Sequence, residues 1–285
     1  FATAVLCGTA VQLGGTEAQQ GEHLPALASG ATRWTLAVDE GPRHDPAAIG
    51  TRAEAREGGY RLHGAKRAVV DGHVADRILV AARSDDETGL FVVPGDARGL
   101  TVARVRTVDS RNAASVHLDG VEVPAEARLG GTDAAPDLLE RVLDRARIAT
   151  AAEMLGVAQE CFDRTLEYLK ERRQFGVPIG SFQALKHRMA DLFAELELAR
   201  SVVLDALAAV DYGDEASIAR AASLAKARLG VVLNRASNEA VQMHGGIGMT
   251  DEFDIGFFLK RARVLEHAFG NAAFHRDRFA ALAGF

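Results

Sequence analysis

The spacing of the apolar residues changes twice along the chain, and this constrains the fold more than any other feature of the sequence. From about Pro136 onward, apolar residues recur at steps of three and four, the period of an amphipathic α-helix. Successive series occupy residues 155–169, 182–210 and 218–243. Long helices joined by connections as short as Tyr212–Asp214 pack as an antiparallel bundle. We therefore predict an antiparallel four-helix bundle over residues 131–285.

Between about Trp34 and Gly130 the apolar residues instead form short runs of the β type. The clearest runs are Trp34–Val38, Arg77–Val80, Leu90–Val93 and Val121–Val123. Turn dipeptides separate them: Gly58-Gly59, Asp71-Gly72, Pro94-Gly95 and Asp119-Gly120. Several short strands with hairpin turns predict a central antiparallel β-barrel or sandwich, which we place at residues 33–130.

The first thirty residues have a helical pattern. Thr16 and Gln19 have the spacing of a capping box, and Gly30 stands where a C-terminal glycine cap is expected. Leu24-Pro25 is predicted to interrupt this second helix, because proline disturbs a helix interior. Because the chain opens at Phe1 on a helix already under way, we expect it to be part of something longer. Residues 1–32 are then the remnant of a helical N-terminal domain, and the whole is an α+β multidomain protein.

Charge and cysteine content exclude several functional classes. The formal net charge of -6 argues against nucleic-acid binding, and no apolar run approaches the ~20 residues that span a bilayer. Cys7 and Cys161 lack the spacing of a metal site or a disulfide framework, so we interpret both as core residues in a reducing compartment. These features predict a cytoplasmic protein without a metal.

Four segments of the sequence have distinctive motifs: residues 13–30 (with Leu-Gly-Gly-Thr-Glu-Ala-Gln), 60–66 (Tyr-Arg-Leu-His-Gly-Ala-Lys), 172–186 (beginning Arg-Arg-Gln-Phe-Gly-Val-Pro-Ile-Gly) and 242–249 (Gln-Met-His-Gly-Gly-Ile-Gly-Met). Together they resemble the acyl-CoA dehydrogenase family. The last two, in this order and about sixty residues apart, are the most specific. The resemblance implies FAD as cofactor, an acyl-CoA substrate, α,β-dehydrogenation and transfer of electrons to an electron-transfer flavoprotein. In the family, the last two segments hold the adenosine-diphosphate half of a flavin seated in a neighbouring subunit.

The residue types in these segments suit a dinucleotide. Arg172 offers a charged fork to phosphate oxygens, and Phe175 is expected to offer an apolar face one helical turn later. Glycines after a helix let backbone amides approach a ligand closely. Taken singly, Arg172 could be a solvated helix-end residue and Gly245-Gly246 a helix cap. The residues assigned to FAD are Arg172, Gln174, Phe175, Ile179, Gln242, Gly245 and Gly246, with Gln174 and Ile179 carried over by position.

The catalytic positions of the family are vacant in this sequence. Dehydrogenation needs a carboxylate to remove the α-proton. The family places its glutamate just before the arginine of the first bundle helix or just before a glycine near the C-terminus. Those positions are Ala146 and Phe269 here. Asp144 and Glu266 are the nearest substitutes, and we interpret both as solvated or ion-paired.

The segments that hold a subunit's own flavin are also altered. The usual Thr-Glu-Pro loop reads Asp39-Glu-Gly-Pro-Arg-His-Asp45, and the positions of an aromatic residue and a Thr or Ser are Ala68 and Val70. The resemblance thus points to the non-catalytic subunit of a heterotetrameric acyl-CoA dehydrogenase, which contributes contacts to the FAD of a homologous partner. Two alternatives remain: an autonomous homotetrameric enzyme with an unconventional base, and a scaffold subunit without flavin.

Overall fold

A computed structural model describes residues 1–85, 87–131, 135 and 137–285 of the chain. Contacts divide the protein into two compact units, Phe1–Ala146 and Arg147–Phe285, which are described separately. The division into three domains ending at residues 32, 130 and 285 stays a prediction. Within the described residues, no helix has the length and apolar character needed to cross a membrane.

The first unit begins with helices that follow the predicted caps. Helical turns over Ala2–Gly8 continue into α1 (Thr9–Gly14), and α2 spans Glu17–Ser29. Both bonds of the capping box form between Thr16 and Gln19, and Gly30 ends α2 with a φ of 74°. The predicted interruption at Pro25 is wrong, because α2 runs through it. Proline removes one hydrogen bond of the helix, and the capped ends hold the remaining turns.

Seven strands of the first unit form one sheet with the character of a half-barrel. The strands are β1 Trp34–Ala37, β2 Arg52–Arg56, β3 Gly59–Val70, β4 Arg77–Ser84, β5 Glu87–Pro94, β6 Leu100–Arg106 and β7 Asn112–Pro124. Their order in the sheet is β1-β4-β2-β3-β7-β6, and β5 pairs with β4 on its other side. The apolar core lies on this sheet and includes Leu62, Val80, Phe91 and Leu118.

The prediction of a wholly antiparallel sheet is wrong in one respect. β1 runs parallel to β4, with Trp34 opposite Arg77, and β2 meets β4 in the same sense at Arg52 and Arg83. Parallel neighbours need a long connection, and the β2–β3 hairpin supplies it between β1 and β4. The short apolar runs identified the strands, but they carry no information about which strand lies beside which.

Asp119-Gly120 is not the hairpin turn predicted from its sequence. The dipeptide lies inside β7, where Leu62 opposes Val121 and His63 opposes Asp119. Gly120 is therefore the extra residue of a β-bulge, and its φ of 68° is a value that glycine adopts readily. The sequence alone does not distinguish a glycine in a bulge from a glycine in a turn.

The second unit is helical, as predicted. α3 (Leu138–Glu171) enters it and is followed by α4 (Gln183–Tyr212), α5 (Glu215–His244), α6 (Ile255–His267) and α7 (Ala272–Leu282). α5 is the central helix and packs against α4, α6 and α7. The helical domain is confirmed, whereas the count of four helices is not. A two-stranded hairpin, β8 (Arg173–Gln174) and β9 (Val177–Pro178), lies between α3 and α4.

Candidate functional site

The hairpin after α3 carries two of the predicted FAD residues, Gln174 and Phe175, and two others, Arg172 and Ile179, flank it. Arg172 directly precedes it, and its carbonyl oxygen accepts a hydrogen bond from the N–H of Ile179 at 2.8 Å. Phe175 and Gly176 form the tip, with φ values of 53° and 78°. Positive φ at both central residues is the geometry of a tight two-residue β-hairpin. Phe175 thus lies at a hairpin tip, and the expectation that it follows Arg172 on the same helix is wrong.

The tip residue Phe175 is unusually placed for an aromatic side chain. It is 90% exposed, and its ring contacts the edge of Phe182 at a centroid distance of 6.1 Å. A bulky residue in the left-handed region is strained by about 1–3 kcal/mol. Arg172 and Gln174 are also exposed, while Ile179 is half-buried and packs against the helical core. The hairpin therefore presents a charged, a polar and an aromatic side chain on one exposed element.

The conformation and packing of the chain explain two of the three glycines that follow α5. Gly245 caps the helix with φ 65° and ψ -141°, a conformation in which other residues are strained. A Cβ at Gly248 would approach the carbonyl oxygen of Val241 to 2.8 Å, so tight packing excludes a side chain there. A Cβ at Gly246 would meet nothing within 4 Å. Packing inside the chain thus explains Gly248 but does not explain Gly246.

An aromatic contact joins the end of α3 to the end of α5. The Tyr168 hydroxyl donates to the carbonyl oxygen of His244 at 3.3 Å, and the two rings stack at 4.3 Å. The ring of Phe253 also contacts the imidazole of His244, at a centroid distance of 5.0 Å. Burial lowers the pKa of His244, so the ring is neutral and structural. This contact brings the Arg172 hairpin and the Gly245 turn to the same end of the second unit.

A cleft of about 620 Å³ opens beside the glycine turn. Gln242, Gly245 and Gly246 line it, as do Arg188 and Glu239, which the sequence analysis did not identify. Arg188 forms an ion pair with Glu239. Arg188 lies just beyond the family-like segment 172–186, at an ordinary polar position of the amphipathic helix α4. Its role could be recognised only from the cleft.

The vacant catalytic positions contain no proton acceptor. Ala146 is fully buried, and Phe269 has a strained φ of 56°. The carbonyl oxygen of Phe269 accepts hydrogen bonds from His275 Nε2 at 2.9 Å and Arg147 Nε at 3.4 Å. Glu266, which was considered as a substitute base, contacts Arg263 and Asn234 at 3.3 Å each. Asp144 is buried.

Basic side chains are buried around this turn. Lys226 donates to the carbonyl oxygen of Leu265 at 2.7 Å, and burial together with the charge of Arg147 lowers its pKa to about 7. Burial and the same arginine lower the pKa of His275 to about 2, so His275 is neutral. Three donors therefore hold backbone carbonyl groups of the 265–269 segment.

Two sets of polar contacts hold the altered loop of the first unit. The side chain of His44 is buried, and its Nδ1 lies 2.8 Å from Asp39 Oδ1. Glu40 accepts hydrogen bonds from Thr51 and from the buried Lys66 at 2.7 Å. Burial alone would raise the pKa of Glu40, but these donors outweigh it and lower the pKa to about 2. The replacement at position 44 thus has a physical reason, since His44 holds Asp39.

Family models match most of the chain. The model "Acyl-CoA dehydrogenase, C-terminal domain" matches residues 137–283, and "Acyl-CoA dehydrogenase, middle domain" matches residues 36–121. The chain belongs to the acyl-CoA dehydrogenase family. The protein "Probable acyl-CoA dehydrogenase YngJ" of Bacillus subtilis (strain 168) is 34% identical over 273 residues, which cover 92% of this chain and 71% of that protein.

Solved structures of acyl-CoA dehydrogenases share the fold. A variant of the Tcur3481-Tcur3483 steroid ACAD is 33% identical, with a TM-score of 0.88 over 98% of this chain and 74% of that chain. The ChsE4-ChsE5 complex from Mycobacterium tuberculosis is 28% identical, with a TM-score of 0.88 over 100% of this chain and 75% of that chain.

Members of this family bind FAD, and one face of the present chain has groups that fit it. Arg172 and Gln242 are exposed donors, and the backbone at Gly246 has open space in front of it. These groups suit a pyrophosphate, which accepts hydrogen bonds and carries negative charge. The exposed Ala68 and Val70 offer neither an aromatic ring nor a side-chain donor to a flavin. The fit is therefore to the nucleotide half of the cofactor.

Proposed function

We propose that this chain is the non-catalytic subunit of a heterotetrameric acyl-CoA dehydrogenase in the cytoplasm. Its second unit would complete the FAD site of a homologous partner subunit through Arg172, Gln174, Phe175, Ile179, Gln242, Gly245 and Gly246. The partner would supply the catalytic carboxylate. The assembly would dehydrogenate an acyl-CoA between Cα and Cβ and pass the electrons to an electron-transfer flavoprotein.

One observation carries this proposal. The groups that fit a nucleotide lie exposed at one end of the second unit, while the positions of the catalytic base hold a buried alanine and a strained phenylalanine. A loss of function throughout the chain would have affected both sets alike. Two of the similar solved structures, the Tcur3481-Tcur3483 steroid ACAD and the ChsE4-ChsE5 complex, have two-component names, which agrees with a heteromeric arrangement.

The roles of the residues follow from their chemistry. Arg172 would pair with phosphate oxygens, Gln242 would donate its amide N–H groups, and the Gly245-Gly246 turn would admit the ligand to the backbone. Phe175 would give the ligand an apolar surface at the hairpin tip. A flavin held by these residues would supply the acceptor for the hydride that leaves the β-carbon of the acyl group. The present chain then contributes to binding and orientation, and a carboxylate outside it removes the α-proton.

The proposal is tested by measuring flavin per polypeptide after purification of the chain alone and together with the homologue encoded beside it. We expect the isolated chain to hold well under one flavin, and the complex to hold FAD and to oxidise acyl-CoA. Arg172→Ala should lower the flavin content of the complex. Arg173→Ala is the matched control, because Arg173 is the neighbouring exposed arginine of the same hairpin.

The outcomes separate the alternatives. One flavin per chain and activity without a partner would support the autonomous enzyme and reject the proposal. Unchanged flavin content in the Arg172→Ala complex would support a scaffold subunit instead. An equal loss of flavin from the Arg172→Ala and Arg173→Ala complexes would show that the hairpin contributes only positive charge and no specific contact of Arg172.

A further inference from the structure

Ion pairs between α4 and α5 show an unexpected reversal. Arg228 and Arg235 of α5 pair with Glu195 and Asp191 of α4. In the third pair the order is reversed, since Arg188 lies on α4 and Glu239 on α5. All three pairs link the same two helices. The contact between the helices would be stabilised equally well if the arginine of the third pair also lay on α5.

The reversed pair is also the one at the cleft. Arg188 and Glu239 line the same cleft of about 620 Å³ as Gln242, Gly245 and Gly246. Neither Arg228 nor Arg235 is among its described lining residues. Position in the fold thus distinguishes Arg188 from the other two arginines of the helix contact.

The charges of the pair are unequally exposed. The Arg188 side chain is 38% exposed and the Glu239 side chain 20%. A guanidinium has five N–H donors in a planar fork, and one carboxylate engages only part of them. The remaining donors belong to a side chain that lines the cleft, and a planar fork of this kind suits phosphate oxygens. Glu239 both orients the arginine and competes with an anionic ligand for it.

We propose that Arg188 binds a phosphate of the dinucleotide seated at Gln242–Gly246, and that Glu239 holds Arg188 in place at the cost of some affinity. This inference rests on the proposed function, because the dinucleotide is the FAD of that proposal. It adds a second cation to the site beside Arg172. It also assigns opposite effects on binding to the two members of one ion pair, which a purely structural pair would not have.

The test uses the purified complex with its partner, freed of flavin and titrated with FAD while flavin fluorescence is followed. Loss of a charged hydrogen bond weakens binding about tenfold, and we expect this increase in Kd for Arg188→Gln. Glu239→Gln releases the guanidinium from its carboxylate and should lower Kd severalfold. Arg228→Gln breaks a neighbouring pair of the same helices and should leave Kd unchanged. The thermal midpoint of each flavin-free variant is recorded in parallel.

The inference is overturned if Arg188→Gln and Glu239→Gln change Kd in the same direction, or if Arg188→Gln matches Arg228→Gln. Either result would make Arg188–Glu239 a third structural pair. Arg172→Ala serves as a separate arm. If that variant binds FAD as tightly as the unmodified complex, the proposed function itself fails. If Arg172→Ala weakens FAD binding but Arg188→Gln does not, only the present inference is rejected.

Discussion

Alanine at Gly246 and alanine at Gly248 add the same methyl group two residues apart, and the structure gives them different consequences. At Gly248 the new Cβ would lie 2.8 Å from the Val241 carbonyl oxygen and 2.9 Å from the His244 Cβ. Backbone atoms cannot move aside cheaply, and overpacking of this kind costs about 1–3 kcal/mol. At Gly246 the methyl group meets nothing within 4 Å. Replacing a glycine without strain stabilises a protein by about 0.4–1 kcal/mol.

The two variants should therefore separate stability from binding. In the flavin-free protein, Gly248→Ala is expected to lower the thermal midpoint, by about 2–4 °C for each kcal/mol in a domain of this size. Gly246→Ala should leave the midpoint unchanged or slightly raised. In the complex, the same Gly246→Ala methyl group would occupy space that the proposed ligand needs. A clash of about 1–3 kcal/mol corresponds to a roughly 5- to 150-fold weaker FAD affinity.

Differential scanning fluorimetry and FAD titration on the same preparations check both statements. A Gly246→Ala complex that binds FAD with normal affinity would refute the assignment of this turn to the nucleotide. A Gly246→Ala protein that is as unstable as Gly248→Ala would refute the reasoning about open space. Gly248→Ala thus serves as the matched control for the structural cost of a methyl group in this turn.

Four further predictions concern buried or half-buried polar side chains. The pKa of Lys226 is about 7 in the folded protein and 10.5 in the unfolded chain. The free energy of unfolding should therefore rise by about 1.5 kcal/mol between pH 7 and 8.5. Urea unfolding should show this rise in the wild type and not in Lys226→Met. Glu40→Gln leaves the buried Lys66 without its carboxylate and should cost about 3–5 kcal/mol in the same assay at pH 7. The depressed pKa of Glu40 means that its stabilisation is complete above pH 4.5 and is lost as the pH falls towards 2, which acid unfolding of the wild type can follow. Tyr168→Phe keeps the ring stack on His244 but removes its hydrogen bond, so it should cost about 1 kcal/mol.

Periodicity and cap residues predicted the local structure well because they act over a few positions. The capping box at Thr16 forms, and α4 ends at the predicted connection before Asp214. Asp214 caps α5 by accepting a hydrogen bond from the Ser217 N–H. The pairing of strands that are far apart in the sequence could not be predicted from such local patterns. The parallel pairing of β1 with β4 and the bulge at Gly120 depend on which strands become neighbours.

The candidate site was predictable only where a motif marks it. Arg172 and Gly246 were identified because they belong to family-like segments, and the structure leaves both exposed. The sequence predicts that the chain turns at Gly176 and Pro178, but it does not show that α3 already ends at Glu171, which moves Phe175 from the helix to the hairpin tip. Arg188 was missed because an arginine on a polar helix face has no distinctive pattern. Only three-dimensional placement beside Gln242 distinguishes it from the other arginines of the helix contact.

The parallel pairing of β1 with β4 bears on how the first unit is assembled during synthesis. β1 emerges from the ribosome early, yet its partner strand follows only after the entire β2–β3 hairpin. Until then the apolar residues of β1 and the helical turns that contact Trp34 through Thr3 have no completed sheet to cover them. Contacts between distant segments form slowly and leave apolar surface open to aggregation. Until β4 has been made, β1 therefore lacks the strand that it pairs with in the finished sheet.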